Sequence, residues 1–283
     1  MTGRAHMTQE GYFRFSSNDS IYFRVIGNGR RHILFLHGFA ASFHTWDSLA
    51  AFFPADKYTL HLPDLKGHGR SVGHGWGDYS AMGNAAIVRA YILSLGVGEI
   101  DVIGHSFGGL VGLSAALTCP RISRLVLIDT PGFPQKLPRY LRILRIPFIG
   151  PLLLALLSPR MVARRGLESV FYRHERITEQ LIECYAAGYR GLAATRGLAR
   201  TARHLIPDHA EQLTASYACL AIPVLILWGE HDQIVQPWQG HRLQREIAGS
   251  RLVTIADCGH NPHEELPETT FGLIRDFLAG ESG

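Results

Sequence analysis

The chain has 283 residues, of which 46% are hydrophobic and 18% charged, and its formal net charge is +4 at pH 7. This ordinary globular composition excludes a disordered or fibrous chain, and the length suits one large α/β domain with an insertion. No run of 18 apolar residues occurs, and the polar residues 1–10 lack a signal peptide's apolar segment, so we expect a soluble, cytoplasmic protein.

Short apolar runs, separated by polar and turn-forming residues, begin near the N-terminus. Tyr12–Phe15 and Ile21–Val25 flank the turn-rich segment Ser16–Ser20, which predicts a β-hairpin. The later runs are continuously apolar, as strands of a parallel sheet covered on both faces must be. They predict strands at residues 32–36, 58–62, 100–103, 125–128, 224–228 and 251–255.

Helical patterns lie between or after these runs. They occupy Asn84–Leu95, which Gly96 ends, then Leu110–Leu117 and Thr269–Leu278. An antiparallel start followed by strand–helix–strand units predicts a mixed sheet with helices on both faces.

The segment between the strands at 125–128 and 224–228 is too long for a simple connection and shows no clear strand. Its apolar spacing predicts helices at residues 149–157, 164–172, 177–187 and 192–204. We therefore predict a core domain formed by residues 1–130 and 216–283, with an inserted helical cap at residues 131–215.

The predicted cap is basic, with 13 Lys and Arg against six Asp and Glu. This charge is typical of solvated helix faces, but it also fits contact with anionic membrane head groups or anionic substrates. The apolar run at residues 146–157 fits either a membrane contact or, as we favour, packing over the active site. Peripheral membrane or lipid contact through the cap therefore stays open.

The strongest chemical signal is Gly104-His-Ser-Phe-Gly108, which matches G-x-S-x-G between a predicted strand and a predicted helix. In that context the serine occupies a tight, strained turn that exposes its hydroxyl, so its neighbours two positions away must be small. We predict that Ser106 is a nucleophile.

A serine hydroxyl needs a base to remove its proton and a carboxylate to orient that base. His260 and Asp232 each follow a predicted strand, at the sheet edge where α/β proteins bind ligands, and the order Ser, acid, His is the expected one. We predict the triad Ser106, His260 and Asp232.

Other side chains could take these roles. Glu230 and Asp129 are alternative acids, whereas Asp257 is too close to His260 in sequence to be preferred. We expect His263 to be a loop or surface histidine, and His105 to pack beneath the serine turn.

Two backbone N–H groups should bind the oxyanion of the reaction. Phe107 follows the nucleophile, and Phe39 lies in the loop after the strand at 32–36, so we predict these two donors. The glycine-rich loop at residues 64–71 lacks a phosphate-binding pattern and is predicted to be structural. The chain has no HExxH, and no third ligand accompanies His260 and His263, so we predict no metal, no cofactor and no nucleic-acid partner.

These motifs together resemble the α/β-hydrolase superfamily, in its lid-bearing serine esterase and lipase branch. The matching segments are HGF at 37–39, DLKGHGRS at 64–71, GHSFGG at 104–109, WGEHD at 228–232 and CGHNPHEELPE at 258–268. The resemblance implies an eight-stranded, mostly parallel sheet with a helical cap, and it is similar to monoacylglycerol lipase-like and carboxylesterase members. Superfamily members with aspartate at the serine position include epoxide hydrolases and haloalkane dehalogenases.

We expect hydrolysis of a small-molecule carboxylic ester with an apolar acyl or aromatic moiety. Apolar residues around the cap should bind it, namely Phe133, Phe148, Leu152, Leu156 and Val235. The alternatives are a C–C bond hydrolase acting on vinylogous diketones, a cofactor-free perhydrolase, and a non-catalytic binding protein of this fold. The natural ester and the oligomeric state stay open.

Overall fold

The computed structural model describes residues 8–17, 19–71, 77–207 and 210–280, and its strands form one eight-stranded sheet. The strand order is β1-β2-β4-β3-β5-β6-β7-β8. The β1–β2 and β2–β4 pairs are antiparallel, and the other five pairs are parallel, which confirms the predicted mixed sheet. The strands are β1 (Thr8–Arg14), β2 (Ser20–Ile26), β3 (Arg31–Leu36), β4 (Tyr58–Pro63), β5 (Ile100–His105), β6 (Ile122–Ile128), β7 (Val224–Gly229) and β8 (Arg251–Ile255).

Helices cover both faces of the sheet, because the strands are apolar on both sides. One apolar cluster joins the sheet to Val88, Val111 and Leu243, and the other joins it to Leu49 and Ile274. The helices outside the predicted cap are α1 (Asp47–Ala50), α2 (Ala81–Ser94), α3 (Phe107–Ala116), α10 (Trp238–Glu246), α11 (Pro262–Glu265) and α12 (Pro267–Ala279).

The sequence of α2 explains where this helix begins and where it ends. The Ser80 hydroxyl accepts a hydrogen bond from the Gly83 N–H at 3.1 Å and so caps the N-terminus. Gly96 lies just past the C-terminus with φ of +67°, the left-handed conformation that glycine adopts without steric cost. This helix packs against α3 beside the strand that carries the predicted nucleophile.

Between β6 and β7 the described residues form helices and no strand. They are α4 (Arg139–Leu144), α5 (Ile149–Leu156), α6 (Pro159–Val170), α7 (Glu179–Ala187), α8 (Gly191–Arg203) and α9 (Ala210–Ala215). Sequence periodicity missed α4 and α9, because six residues are too few to display a helical repeat. It also began α6 at residue 164, five residues after Pro159, where the helix begins.

Parts of the predicted domains, at residues 1–7, 18, 72–76, 208–209 and 281–283, lie outside the described residues. Among the helices that are described, none combines the length and hydropathy needed to cross a bilayer.

Candidate active site

Ser106 lies on a strained turn between β5 and α3. Its φ of 50° and ψ of −119° are unusual for a residue with a side chain, and such strain is typical of nucleophile turns. A Cβ on Gly104 would lie 2.6 Å from the Gly108 carbonyl oxygen, and a Cβ on Gly108 would lie 2.2 Å from the Leu36 carbonyl oxygen. The turn therefore closes only with glycine at both positions.

The structure brings Ser106, His260 and Asp232 into one hydrogen-bonded chain. The Ser106 Oγ lies 3.0 Å from His260 Nε2, and His260 Nδ1 lies 2.7 Å from Asp232 Oδ2. A carboxylate only accepts, so Nδ1 donates to Asp232 and Nε2 is left to accept the serine proton. All three side chains are buried, which strengthens these polar interactions.

The carboxylate of Asp232 is held from its other side. Its Oδ1 accepts hydrogen bonds from the N–H groups of Ile234 at 2.7 Å and Val235 at 3.0 Å, while Oδ2 faces His260. The loop after β7 thus fixes the carboxylate plane and leaves one oxygen for the imidazole. This geometry favours Asp232 as the residue that orients His260.

The alternative acids lie elsewhere or are differently bonded. Glu230 and Asp257 are exposed and hydrogen-bonded to each other through the Asp257 N–H at 3.3 Å. Asp129 is fully buried after β6, and its Oδ1 accepts the Gly229 N–H at 2.9 Å. Burial first, and then the charge of Asp232, raise the pKa of Asp129 well above its ordinary value, which favours a protonated Asp129 carboxyl.

Two further histidines support the site from below. His105 is buried, as expected, and its Nε2 lies 2.8 Å from the carbonyl oxygen of His260. The expectation that His263 is a surface residue is wrong, because α11 turns its ring into the core. There it packs against Trp46 in a tilted arrangement, at 4.4 Å between ring centroids, and hydrogen-bonds the Thr45 hydroxyl at 2.8 Å. Burial lowers the pKa of His263 to about 3, so it stays neutral.

The loop that carries His260 contacts the helical segment between β6 and β7, which we call the cap, through hydrogen bonds that sequence reasoning missed. The His260 N–H donates to the Val170 carbonyl oxygen, at the end of α6, at 2.7 Å. The buried Glu265 carboxylate accepts three N–H groups at 2.9 Å, from Gly259, Tyr172 and Arg173. A glutamate shortly after two histidines matches no known sequence pattern, so only the fold reveals that Glu265 accepts these three N–H groups.

The predicted oxyanion donors flank Ser106. Phe107 is the first residue of α3, where a helix has no internal acceptor for its N–H groups. The loop with Phe39 packs against the serine turn, since a Cβ on Gly38 would lie 3.3 Å from the Ser106 Cβ. Both backbone segments therefore border the space beside the hydroxyl.

The predicted structural loop at residues 64–71 braces this region. The buried Asp64 carboxylate accepts the N–H groups of Phe43 at 2.8 Å and Arg70 at 2.7 Å. His37, next to the oxyanion loop, accepts the Leu65 N–H at 2.9 Å through Nε2. The polar groups of this glycine-rich segment thus form hydrogen bonds with backbone groups of the fold.

A cavity of about 690 Å³ extends from Ser106 into the cap, and its wall is mainly apolar. Phe133, Leu156 and Val235, three of the predicted substrate-binding residues, line it together with Phe39, Phe107 and His260. Phe148 and Leu152 do not line it, so their predicted substrate contact is wrong. Helix α5 and the turn before it direct these two side chains outward, where they are 88% and 59% exposed.

One polar group of side chains interrupts the apolar wall near His260. Tyr185 and Asn261 line the cavity, and both donate to one oxygen of Glu264, at 2.7 Å and 2.6 Å. These residues were not predicted, because they come from separate segments that meet only in the fold.

Two groups of side chains in the described part of the chain have the ligand spacing of a metal site. One consists of Asp129, Asp232 and His260, whose Nδ1 and Asp232 oxygen are already hydrogen-bonded to each other. The other is exposed and consists of Glu230, His231 and Asp257. Each set offers three ligand atoms, one fewer than a closed structural site with four protein ligands requires.

Comparison with known proteins gives a family match and several relatives. The model of the alpha/beta hydrolase fold family matches residues 31–267. An uncharacterized hydrolase, YugF, of Bacillus subtilis is 29% identical over 92% of this chain and 94% of the relative. A monoacylglycerol lipase, abhd6-A, of Xenopus laevis is 28% identical over 94% of this chain and 82% of the relative.

Solved structures agree with this match. An esterase from Thermogutta terrifontis superposes with a TM-score of 0.80 at 25% identity, covering 97% of this chain and 100% of the esterase. Epoxide hydrolases also occur among the relatives, one of them from Xenopus tropicalis with 24% identity over 98% of this chain and 80% of that protein. These similarities together support a hydrolase, and its substrate class has to be inferred from the geometry of the site.

Proposed function

The chain belongs to the alpha/beta hydrolase fold family, and on that premise we propose that it is a serine hydrolase that cleaves carboxylic esters. The observation that carries the proposal is the hydrogen-bonded chain from Ser106 through His260 to Asp232, at 3.0 Å and 2.7 Å. It gives a buried hydroxyl both a base and a group that orients the base, which is what acyl transfer needs.

In the proposed reaction, His260 Nε2 takes the proton of Ser106 as its Oγ attacks the ester carbonyl carbon. The carbonyl oxygen becomes an oxyanion, which the N–H groups of Phe39 and Phe107 bind. The tetrahedral intermediate collapses to an acyl-enzyme, and the leaving alcohol takes the proton from His260. Water then attacks the acyl group, again through His260, and releases the carboxylic acid. Asp232 stabilises the imidazolium in both halves.

Two features support this reaction over the epoxide opening named for some relatives. Superfamily members that open epoxides carry aspartate at the nucleophile position, whereas this chain has Ser106. The cavity of about 690 Å³ is within the usual size of ligand sites, and its apolar wall suits an acyl chain or an aromatic acid.

Hydrolysis of p-nitrophenyl esters with acyl chains of increasing length tests the proposal. We expect turnover that rises from acetate to longer chains, since the cavity wall is apolar. Ser106→Ala should abolish it, while Ser114→Ala, which replaces a buried hydroxyl bonded to the Leu110 carbonyl oxygen, should leave it within about threefold. Absence of turnover of every ester, or full activity of Ser106→Ala, would overturn the proposal.

A further inference from the structure

The outer face of the cap exposes an unusual concentration of apolar side chains. Ten of the 17 large hydrophobic residues that are exposed in the described part of the chain lie between positions 140 and 161, and we call them the cap patch. Phe148 is 88% exposed and Leu156 is 74% exposed. Single exposed hydrophobic residues are ordinary, but a contiguous set of this kind marks a surface that meets a partner.

The charge around the cap patch has one sign. Residues 131–167 contain seven Lys and Arg and no Asp or Glu. Arg160 and Arg164 are paired with glutamates of α7, and Arg165 is paired with Glu168. The other exposed cations beside the patch are Lys136, Arg139 and Arg142, and no ion pair to them occurs among the described residues.

The cap patch is continuous with the wall of the active-site cavity. Six of its members are exposed on the outside and also line the cavity. They are Tyr140, Ile143, Leu153, Leu156, Leu157 and Met161. The apolar surface of the cap patch therefore joins the apolar wall of the cavity that contains Ser106.

We propose that the cap patch docks on an anionic lipid surface, and that apolar ester substrates enter the cavity from that surface. The apolar side chains of the cap patch suit the acyl layer of such a membrane, and the Lys and Arg residues around them suit its anionic head groups. A second copy of this chain fits poorly, because two facing patches would place cations opposite cations. Docking stands on the patch and its charge, while substrate entry rests on the proposed ester hydrolysis.

Co-sedimentation with lipid vesicles tests the docking. The full chain with Ser106→Ala is mixed with vesicles of equal parts phosphatidylcholine and phosphatidylglycerol, and with vesicles of phosphatidylcholine alone. We expect binding to the anionic vesicles, weakened by high salt because surface charges are screened, and much less binding to the neutral ones. Arg139→Gln with Arg142→Gln should weaken it, whereas Arg89→Gln, at an exposed site on α2, should not.

The apolar part of the patch has a matched control in the same chain. Phe148→Ser with Ile149→Ser changes two exposed side chains that do not line the cavity, and should lower vesicle binding by about tenfold or more. Met82→Ser with Leu93→Ser changes two residues of α2 that are each 50% exposed, and should leave binding unchanged. With Ser106 restored, both double variants should hydrolyse p-nitrophenyl acetate at the unaltered rate.

Failure of this proposal is distinct from failure of the proposed function. No binding to anionic vesicles, or equal binding by the patch variant and the α2 control, overturns docking, because Ser106→Ala needs no catalysis to bind. Sedimentation of the lipid-free chain as a dimer that Phe148→Ser with Ile149→Ser dissociates also overturns it, in favour of a second copy. Substrate entry predicts that anionic vesicles increase hydrolysis of a long-chain ester embedded in them only when the patch is intact.

Discussion

Two carboxyl groups, those of Asp129 and Asp232, lie beside His260. One oxygen of each carboxyl group and one ring nitrogen of His260 are within 4.8 Å of one another. Two carboxylates so close in a buried site do not both ionise at low cost, and the raised pKa of Asp129 marks it as the protonated partner. A neutral Asp129 therefore avoids charge repulsion with the Asp232 carboxylate, which holds His260.

Substitution by asparagine separates the two acids. The Asp129→Asn side chain would keep an acceptor for the Gly229 N–H and would stay neutral, and asparagine tolerates the φ of 46° at this position. We therefore expect Asp129→Asn to keep kcat within about tenfold, whereas Asp232→Asn should lose about 10⁴-fold through the wrong histidine tautomer. Asp129→Ala should fall below Asp129→Asn, because it leaves the Gly229 N–H without its acceptor.

Steady-state ester hydrolysis across a pH series checks this ranking. If Asp129→Asn lost as much activity as Asp232→Asn, then Asp129 would be the carboxylate that serves His260. If Asp129→Ala matched Asp129→Asn at every pH, then a positioning role would be excluded.

At the scale of elements, the core and the cap meet where α6 ends beside the loop before α11. Glu265 satisfies N–H groups on both sides of this junction, and His260 itself donates to the Val170 carbonyl oxygen. A Cβ on Gly259 would lie 2.5 Å from that same oxygen, so the two backbones are in close contact. The orientation of His260 therefore depends on the cap as well as on the core.

Glu265→Gln tests this dependence. The amide has one acceptor oxygen instead of two, and its NH₂ would face N–H donors, so at least one buried backbone group would lose its partner. We expect the free energy of unfolding to fall by about 1–3 kcal/mol, with a parallel loss of kcat. Urea unfolding and ester hydrolysis measure the two effects. Glu268→Gln, at an exposed site in the first turn of α12, is the matched control, and equal behaviour of the two variants would contradict the prediction.

At the scale of the whole molecule, five histidines among the described residues are buried and held neutral. Burial lowers their pKa values, to about 3 for His37 and His263, to about 4 for His61 and His68, and well below 6.5 for His105. As the pH falls from 6.5 towards 4, the unfolded chain binds protons that the folded chain does not. Each such histidine then removes up to about 1.4 kcal/mol of stability per pH unit.

Three carboxyl groups of the described residues, two of them fully buried and that of Glu264 partly buried, oppose this trend. Burial raises the pKa of Asp64 to about 6 and that of Glu264 to about 7, and raises that of Asp129 as well, so these groups favour folding at lower pH. Five histidines outnumber three carboxyls, so we expect the free energy of unfolding to decrease between pH 6.5 and pH 5. Urea unfolding at constant ionic strength measures it, and stability that is constant or greater at pH 5 would contradict the prediction.

Sequence patterns predicted the sheet and three of the six described helices outside the cap, α2, α3 and α12, because those elements have strong local signals. Continuous apolar runs mark the buried strands, and Gly96 marks the end of α2. The chain order of Ser106, Asp232 and His260 also nominated three residues that the fold places in contact. Each of these inferences needs only local sequence and a known rule about where strands end.

The remaining features arise from contacts between distant segments. Nothing near His263 in sequence shows that α11 turns its ring onto Trp46, and nothing near Glu265 shows its three backbone donors in the cap and the core. Phe148 and Leu152 were misassigned because hydropathy gives no direction for a side chain on, or just before, a helix that is apolar on every face. That same hydropathy of α5 supplies four of the ten residues of the cap patch.

Labelling by a fluorophosphonate, mapped by peptide mass spectrometry, tests the activation of Ser106 most directly. The hydrogen-bonded chain to His260 and Asp232 predicts one adduct, on the peptide that contains Ser106. It also predicts no adduct in Ser106→Ala, labelling slowed by about a hundredfold or more in His260→Ala, and normal labelling in Ser114→Ala. An adduct on another residue, or unchanged labelling of Ser106 in His260→Ala, would contradict the account.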